Sequence, residues 1–162
     1  MNILITGSNG FIGKRLVNFL SNYNEKIKTI YVLARSQNSI HKHNIKNIKF
    51  IYIFNLNKKK IDIDAIIHLA SKAHIKNFTK SDAKYSLFLT KELLSFSVLN
   101  NIKKFIYFSS IKVYGENNTD KNIFSENNIA NPSCSYSISK FENENEIINF
   151  FYEYQIKYYI IR

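Results

Sequence analysis

The chain has 162 residues, 45% hydrophobic and 15% aromatic, and its 23 Lys and Arg against 12 Asp and Glu give a net charge of +11. These values favour one folded domain, and no apolar run reaches the roughly 18 to 20 residues that a membrane-spanning helix needs. The cations are nearly all Lys in Asn-rich segments and the start lacks a secretory signal, so we expect a cytoplasmic protein without a nucleic-acid or membrane partner.

Apolar runs and turn signals predict alternating strands and helices. The predicted elements are, in chain order, a strand 2–6, a helix from about Phe11 to Leu20, strands 28–34, 48–54 and 64–70, a helix from about Asp82 to Leu99, a strand 103–110, a helix from about Ser135 to Tyr154 and a strand 157–161. The strands are continuously apolar, as in a parallel sheet that is covered on both faces. The pattern predicts an α/β protein with a doubly wound parallel sheet.

Three of the four glycines lie in "TGSNGFIG", as Gly7, Gly10 and Gly13, between the first strand and the first helix. A dinucleotide pyrophosphate needs backbone amides and a helix N-terminus at close range, and side chains at these positions would block its approach. The alternative is a plain strand-to-helix turn that uses Gly for its backbone freedom. The strand before the motif and the helix after it favour a cofactor site.

The end of the second strand bears on the choice of cofactor. An acidic residue here typically binds the ribose 2′-hydroxyl of NAD, whereas an Arg accommodates the 2′-phosphate of NADP. This chain has Ala34 and then Arg35. The residues therefore favour NADP slightly over NAD, unless Arg35 is only a solvated surface residue.

Four motifs together, "ITGSNGFIGKRLV", "DAIIHLAS", "FIYFSSIKVYGE" and "YSISK", resemble the extended short-chain dehydrogenase/reductases. Within them the chain is similar to the NAD-dependent epimerase/dehydratase group, and most to UDP-sugar 4-epimerases and 4-keto-reductases. The resemblance implies a Rossmann-type, three-layer αβα domain over residues 1–162. It also implies a smaller, substrate-holding C-terminal domain, which is missing from this sequence.

By this resemblance Ser110, Tyr136 and Lys140 are the catalytic residues, with Ser109 as a second candidate for the serine. Hydride transfer to or from a carbon needs a group that exchanges a proton with the attached oxygen. Free tyrosine has a pKa near 10, and a nearby ammonium is expected to lower it. The i, i+4 spacing of Tyr136 and Lys140 places them on one helix face. The alternative is an ordinary exposed helix face.

The resemblance also implies a set of cofactor-binding residues. They are Gly7, Asn9, Gly10, Phe11, Ile12, Gly13, Arg35, Asn55, Leu56, Leu69, Ala70, Tyr136 and Lys140. Two positions depart from the family, which often has Asp at Asn55 and Asn at Ser86. No metal is expected, because the four His and the single Cys134 do not have zinc-type spacing.

The expected function is hydride transfer at C4 of a UDP-hexose in polysaccharide biosynthesis. Two enzymes fit, a UDP-glucose or UDP-N-acetylglucosamine 4-epimerase and a UDP-4-keto-sugar reductase. Because the sequence stops at "YYIIR", where relatives continue, an inactive truncated dinucleotide-binding or interaction module is the alternative. The resemblance further implies a possible homodimer through the two long helices.

Overall fold

The computed structural model describes residues 1–23, 25–34, 47–53, 56, 60–72, 77–115 and 123–162. Its elements are β1 (Asn2–Thr6), α1 (Phe11–Tyr23), β2 (Thr29–Ala34), β3 (Ile48–Tyr52), β4 (Ala65–His68), α2 (Lys80–Leu99), β5 (Lys104–Phe108), a 3₁₀ helix (Ile111–Tyr114), α3 (Ser135–Tyr154) and β6 (Lys157–Ile161). All nine predicted strands and helices are confirmed. The 3₁₀ helix was not predicted, because four residues are too few for a periodic signal.

The six strands form one parallel sheet in the order β3-β2-β1-β4-β5-β6. The chain builds outward from β1 to β3 and then returns to pair β4 with β1. The strand order therefore reverses between β1 and β4. In doubly wound sheets, ligands bind outside the carboxyl ends of the strands at such a reversal.

Helices cover both faces of the sheet. On one face, Val17 of α1 packs against Ile5 and Ile30, and none of the three is exposed. On the other face, α2 and α3 cover the sheet and form a second cluster. Its fully buried members include Leu4, Ile66, Leu93, Phe105 and Ile147. The result is the predicted three-layer αβα arrangement.

The N-termini of both long helices are fixed by side chains. The Asp82 carboxylate accepts from the backbone N–H of Thr79 at 2.8 Å, and the Thr79 hydroxyl accepts from the N–H of Asp82 at 3.2 Å. This capping box starts α2 at Lys80, two residues before the predicted start. At α3, Cys134 and Ser137 cap each other in the same way. The second box places Tyr136 and Lys140 in the first two turns of α3.

None of the helices in the described part of the chain is both long enough and apolar enough to cross a membrane.

Candidate active site

The turn between β1 and α1 requires glycine at two points. Gly7 has a φ of +71°, and a Cβ there would come within 2.7 Å of the backbone nitrogen of Ala70. A Cβ on Gly13 would come within 2.7 Å of Cα of Ser8 and closer still to the carbonyl oxygen of Gly7. Side chains at these points would push the turn away from β4 and from α1. The glycines thus let the turn pack closely against the end of β4 and against the first turns of α1.

A cavity of about 550 Å³ opens beside this turn, at the carboxyl ends of β1, β2 and β4. It is lined by Thr6, Gly7, Ser8, Asn9, Gly10, Leu33, Ala34, Ile53, Leu69, Ala70, Ser71, Lys72, Asp82, Tyr85, Ser86 and Leu89. Its position coincides with the reversal of strand order. The glycine turn, the helix N-terminus and the mainly apolar walls suit the pyrophosphate and the rings of a dinucleotide.

The predicted cofactor-binding residues fall into three groups. Gly7, Asn9, Gly10, Leu69 and Ala70 line the cavity. Others lie near the turn but outside the lining: Phe11 and Ile12 are 75% and 51% exposed on the first turn of α1, and Gly13 packs behind Gly7. Leu56 is fully buried in the core under α2, and Arg35 and Asn55 lie outside the described residues. These assignments remain predictions.

The cavity also contains an ion pair that the sequence did not reveal. The Lys72 ammonium lies 2.9 Å from the Asp82 carboxylate and donates to the carbonyl oxygen of Asn77 at 2.9 Å. Ten residues separate the pair, and residues 73–76 between them are not described. The one sequence signal that could have predicted this ion pair is the position of Asp82 in the first turn of α2. The pair connects the segment after β4 to the start of α2 at the cavity wall.

The catalytic candidates meet where β5 ends. Ser110 follows β5 and caps the 3₁₀ helix, where its hydroxyl accepts from the N–H of Lys112 at 3.2 Å. The Tyr136 phenol, on the first turn of α3, lies close enough to the Ser110 side chain for that hydroxyl to act on its pKa. Lys140, one turn further along α3, donates to the carbonyl oxygen of Phe108 at 2.8 Å. Tertiary folding therefore brings the three predicted residues together at the carboxyl end of β5.

Lys140 is buried, with its ammonium 4.8 Å from the ring centroid of Tyr107 and 6.0 Å from that of Tyr136. Burial lowers the pKa of Lys140 to about 8, although the nearby Glu144 carboxylate acts in the opposite direction. Desolvation disfavours the charged form of an amine, which accounts for the sign. The ammonium is retained at neutral pH by the Phe108 carbonyl and the electron-rich face of Tyr107.

The half-buried phenol of Tyr136 differs from the expectation. Burial raises its pKa, and the Ser110 hydroxyl offsets only part of that effect. The expected lowering by Lys140 is therefore wrong for the chain without ligands. The physical reason is that the Phe108 carbonyl holds the ammonium beside Tyr107, while the Tyr136 ring contacts Phe78 edge-on at 5.5 Å.

Two buried hydroxyls beside this group have no hydrogen-bond partner within the described part of the chain. They belong to Tyr107, on β5, and to Ser109, just after it. Buried polar groups are normally paired, so such a pair of free hydroxyls is typical of a site that receives a ligand or water. Ser109 thus stays a second candidate beside Ser110. The site can thus donate and accept protons in one region. The groups that do so are the Tyr136 phenol, the Ser109 and Ser110 hydroxyls and the Lys140 ammonium.

Comparisons with known proteins agree with this geometry. A family model described as the NAD dependent epimerase/dehydratase family matches residues 3–162. The dTDP-D-glucose 4,6-dehydratase of Dictyostelium discoideum is 32% identical over an alignment that covers 99% of this chain and 42% of that protein.

Solved structures show the same fold. The UDP-glucose 4-epimerase of Thermotoga maritima, solved with UDP-glucose, is 28% identical with a TM-score of 0.80 over 100% of this chain and 55% of that one. The UDP-glucuronic acid 4-epimerase of Bacillus cereus, in complex with UDP-glucuronic acid and NAD, is 25% identical with a TM-score of 0.83 over 100% of this chain and 56% of that one.

The chain spans about half the length of each of these three proteins. The family match, in contrast, extends over nearly all of the chain and includes the glycine turn, the cavity and the Ser110, Tyr136 and Lys140 group. The chain belongs to the NAD-dependent epimerase/dehydratase family.

Proposed function

We propose that residues 1–162 form the cofactor-binding and catalytic part of a UDP-hexose 4-epimerase that uses NAD. The observation that carries this proposal is the combination of two features at the carboxyl edge of one sheet. The first is the glycine-lined cavity at the reversal of strand order. The second is the Tyr136 phenol with its Ser110 and Lys140 neighbours.

In this proposal a bound nicotinamide dinucleotide supplies the hydride acceptor and donor. Tyr136 takes the proton from the C4 hydroxyl of the sugar during oxidation and returns it during reduction. Ser110 donates a hydrogen bond to the same oxygen and so holds it against the phenol. Because the Ser110 hydroxyl already acts on the phenol in the chain without ligands, both groups can reach the same substrate oxygen in this proposal.

Lys140 has two tasks in the same proposal. Its contact with the Phe108 carbonyl uses one of the three ammonium protons. The other two are available for a ribose hydroxyl of the cofactor and for the phenol oxygen of Tyr136. A positive charge beside the phenol favours the phenolate and lowers its pKa. The raised pKa of Tyr136 in the chain without ligands implies that this activation depends on ligand binding.

We propose NAD rather than NADP as the cofactor. The slight lean to NADP rested on Arg35, which lies outside the described residues, and it gains no support. The Bacillus cereus structure contains NAD, and the family is described by its dependence on NAD. Parallel titrations with NADH and NADPH, followed by nicotinamide fluorescence, test the choice. Tighter binding of NADPH contradicts it.

Among the family reactions, 4-epimerisation is favoured by two structural relatives that are 4-epimerases solved with UDP-sugars. A 4-keto-reductase would use the same residues once and then release the cofactor. A non-catalytic binding or interaction module is the candidate from a different class. It is favoured by the exposed residues of β6, which could pair with another chain.

The experiment compares Tyr136→Phe with Tyr152→Phe, a phenol that is 88% exposed on the same helix. In the protein that contains this chain, Tyr136→Phe should retain dinucleotide binding and lose UDP-hexose epimerisation by roughly 10²- to 10⁴-fold. Tyr152→Phe should change neither. An unchanged rate for Tyr136→Phe contradicts the acid/base role, and the absence of any dinucleotide binding contradicts both enzyme proposals.

A further inference from the structure

Three buried polar side chains join the sheet to the two long helices. His68 ends β4, Thr90 lies in the middle of α2 and Asn143 faces them from α3; each is 0% exposed. Together with Thr6 at the end of β1 they form one continuous set of hydrogen bonds, here called the His68 network. Buried polar groups are costly unless they are paired, so this network restricts how the four elements can be arranged.

The network begins beside the glycine turn. The Thr6 hydroxyl accepts from the backbone N–H groups of Leu69 at 3.2 Å and Ala70 at 3.1 Å. Its own proton is left for Nδ1 of His68, at 2.7 Å. Leu69 and Ala70 also line the cavity, and Gly7 follows Thr6 directly. The first part of the network therefore fixes the walls of the proposed cofactor site.

The network continues across both helices. With Nδ1 accepting, Nε2 of His68 carries the proton and donates to the Thr90 hydroxyl at 3.1 Å. The single proton of that hydroxyl has two acceptors in reach, the Ser86 carbonyl oxygen at 3.0 Å and the Asn143 side-chain oxygen over a short contact. Donation to Asn143 continues the network. The Asn143 amide group then donates to the carbonyl oxygen of Ser139 at 2.6 Å. Every step donates in the same direction, from the end of β4 to the residue before Lys140.

This directional pairing gives the network more specificity than apolar packing has. Apolar contacts between α3 and the sheet, such as that of Phe151 with Phe105, tolerate small sliding movements, because dispersion is not directional. A slide of α3 along α2 would separate the Asn143 side chain from the Thr90 hydroxyl and leave a buried acceptor unpaired, which is costly. The His68 network therefore selects one position of α3 relative to the glycine turn.

We propose that Thr90 and Asn143 are positioning residues, which hold the helix carrying Tyr136 and Lys140 in register with the glycine turn through His68 and Thr6. This proposal deepens the proposed function and rests on it. Neither residue contacts the predicted reacting groups directly. They act through the Ser139 carbonyl and the backbone of α3.

The ammonium of Lys140 reports on the register of α3. The titratable groups that face it are Tyr107 on β5, Tyr136 and Glu144 on α3, and His68 on β4, whose own pKa is lowered by burial and by the Lys140 charge. With a pKa of about 3, His68 is neutral across the labelling range and adds no charge beside Lys140. If α3 shifts, Lys140 loses its close fit under Phe108 and Tyr107 and becomes hydrated. Its pKa then rises from about 8 towards the ordinary value of 10.5.

The test uses Thr90→Val, which removes the hydroxyl and keeps the shape of the side chain. The whole chain is labelled with acetic anhydride across a pH series, and the Lys140 peptide is read by mass spectrometry. The pH at which labelling is half-maximal is the Lys140 midpoint. We expect the midpoint to rise by about one pH unit and NADH binding to weaken roughly 3- to 30-fold. Thr90→Ser keeps the hydroxyl and should restore both values.

The matched control is Ser97→Ala on the same helix. Ser97 is equally buried, but its hydroxyl donates only to the Leu93 carbonyl oxygen within α2, at 2.7 Å. Its loss should lower stability without moving the Lys140 midpoint or the NADH affinity. If Thr90 has only a structural role, Thr90→Val should also lower stability and leave the Lys140 midpoint and the NADH affinity unchanged. That result overturns the proposal.

Two further outcomes are decisive. If Thr90→Val does not fold, Asn143→Ala cuts the same network from α3 and must raise the Lys140 midpoint; an unchanged midpoint in that variant also overturns the proposal. If the unmodified protein binds no dinucleotide, the proposed function fails. The labelling experiment needs no cofactor, so the Lys140 midpoint still tests whether Thr90 and Asn143 position α3.

Discussion

At the scale of single residues, the buried ammonium of Lys140 is the group with the clearest pH signature. Burial places its pKa at about 8 in the folded chain, against 10.5 in an ordinary lysine. The unfolded chain therefore binds this proton more tightly than the folded chain does. The contribution of Lys140 to the free energy of unfolding rises with pH from about 8 to 10.5 and is smallest below that window.

Acetic anhydride labelling should accordingly modify Lys140 with a midpoint near pH 8. Lys84, exposed on α2, serves as the internal reference for reagent decay. Because burial also slows access of the reagent, the midpoint and not the absolute rate is the measured quantity. A midpoint of Lys140 close to that of free lysine contradicts the burial of its ammonium.

The buried His68 changes the free energy of unfolding with the same sign as Lys140, but at acid pH. Burial, with a smaller contribution from the Lys140 charge, lowers its pKa from 6.5 to about 3. The unfolded chain takes up a proton below pH 6.5 while the folded chain does not. Stability from this residue is therefore complete above pH 6.5 and is lost progressively as the pH falls towards 3.

Between pH 6.5 and pH 5, His68 alone should reduce the free energy of unfolding by about 2 kcal/mol. His68→Asn should be less stable at pH 7, because the pairing with Thr6 and Thr90 is disturbed, but should lack this part of the acid dependence. Urea unfolding of both proteins at pH 7 and pH 5 measures the difference. Identical losses in the two proteins contradict a neutral buried His68.

At the scale of elements, Arg162, directly after β6, is tied to α3 by an ion pair with the buried carboxylate of Glu144. The Glu144 side chain is 0% exposed, and its carboxylate receives two donors of the Arg162 guanidinium, at 3.1 Å from Nε and 2.6 Å from Nη2. Arg162 also donates to the Tyr114 phenol at 2.9 Å. These bonds connect the end of β6 to α3 and to the 3₁₀ helix.

Arg162→Met should lower the free energy of unfolding by about 3–5 kcal/mol, because it leaves the Glu144 carboxylate buried and unpaired. Adding Glu144→Leu should recover much of the loss. The control is Lys91→Met, which breaks an exposed ion pair with Glu146 at 3.6 Å and should cost at most about 1 kcal/mol. If urea unfolding gives equal losses for Arg162→Met and Lys91→Met, the Arg162–Glu144 pair does not contribute more to stability than an exposed pair, which contradicts the prediction.

At the scale of the whole molecule, the sheet has an exposed edge at β6. Within the described part of the chain, this strand pairs with β5 alone, and Tyr159 and Ile161 are 50% and 44% exposed. Exposed apolar edge strands readily pair with other chains. A chain comprising residues 1–162 alone should therefore self-associate as its concentration rises.

Sedimentation velocity over a concentration series tests this expectation. Tyr159→Lys should reduce the association, because a charge on an edge strand opposes strand pairing. Phe88→Glu serves as the control, since it changes a side chain that is 52% exposed on α2, far from the strand edge. If only Phe88→Glu reduces association, the contact runs through the helical face and the expectation for β6 is wrong.

The sequence by itself determined the elements, their order and the fold class. The reason is that these depend on local patterns: continuous apolar strands, the glycine spacing from Gly7 to Gly13, and the i, i+4 spacing of Tyr136 and Lys140. Sequence also predicted where the glycine turn would lie relative to the sheet. The family resemblance then supplied the reaction class and the identity of the catalytic candidates.

Only the tertiary structure decided the electrostatic state of the site. Lys140 bonds a carbonyl 32 residues away, and Thr6 meets His68 across 62 residues. Thr90 and Asn143 are separated by 53 residues and Glu144 and Arg162 by 18. Whether a side chain is buried, and what it is paired with, depends on how distant segments pack, and no local pattern contains that information. For this reason the sequence named Tyr136 and Lys140, while the fold decided their pKa values and the partners that hold them.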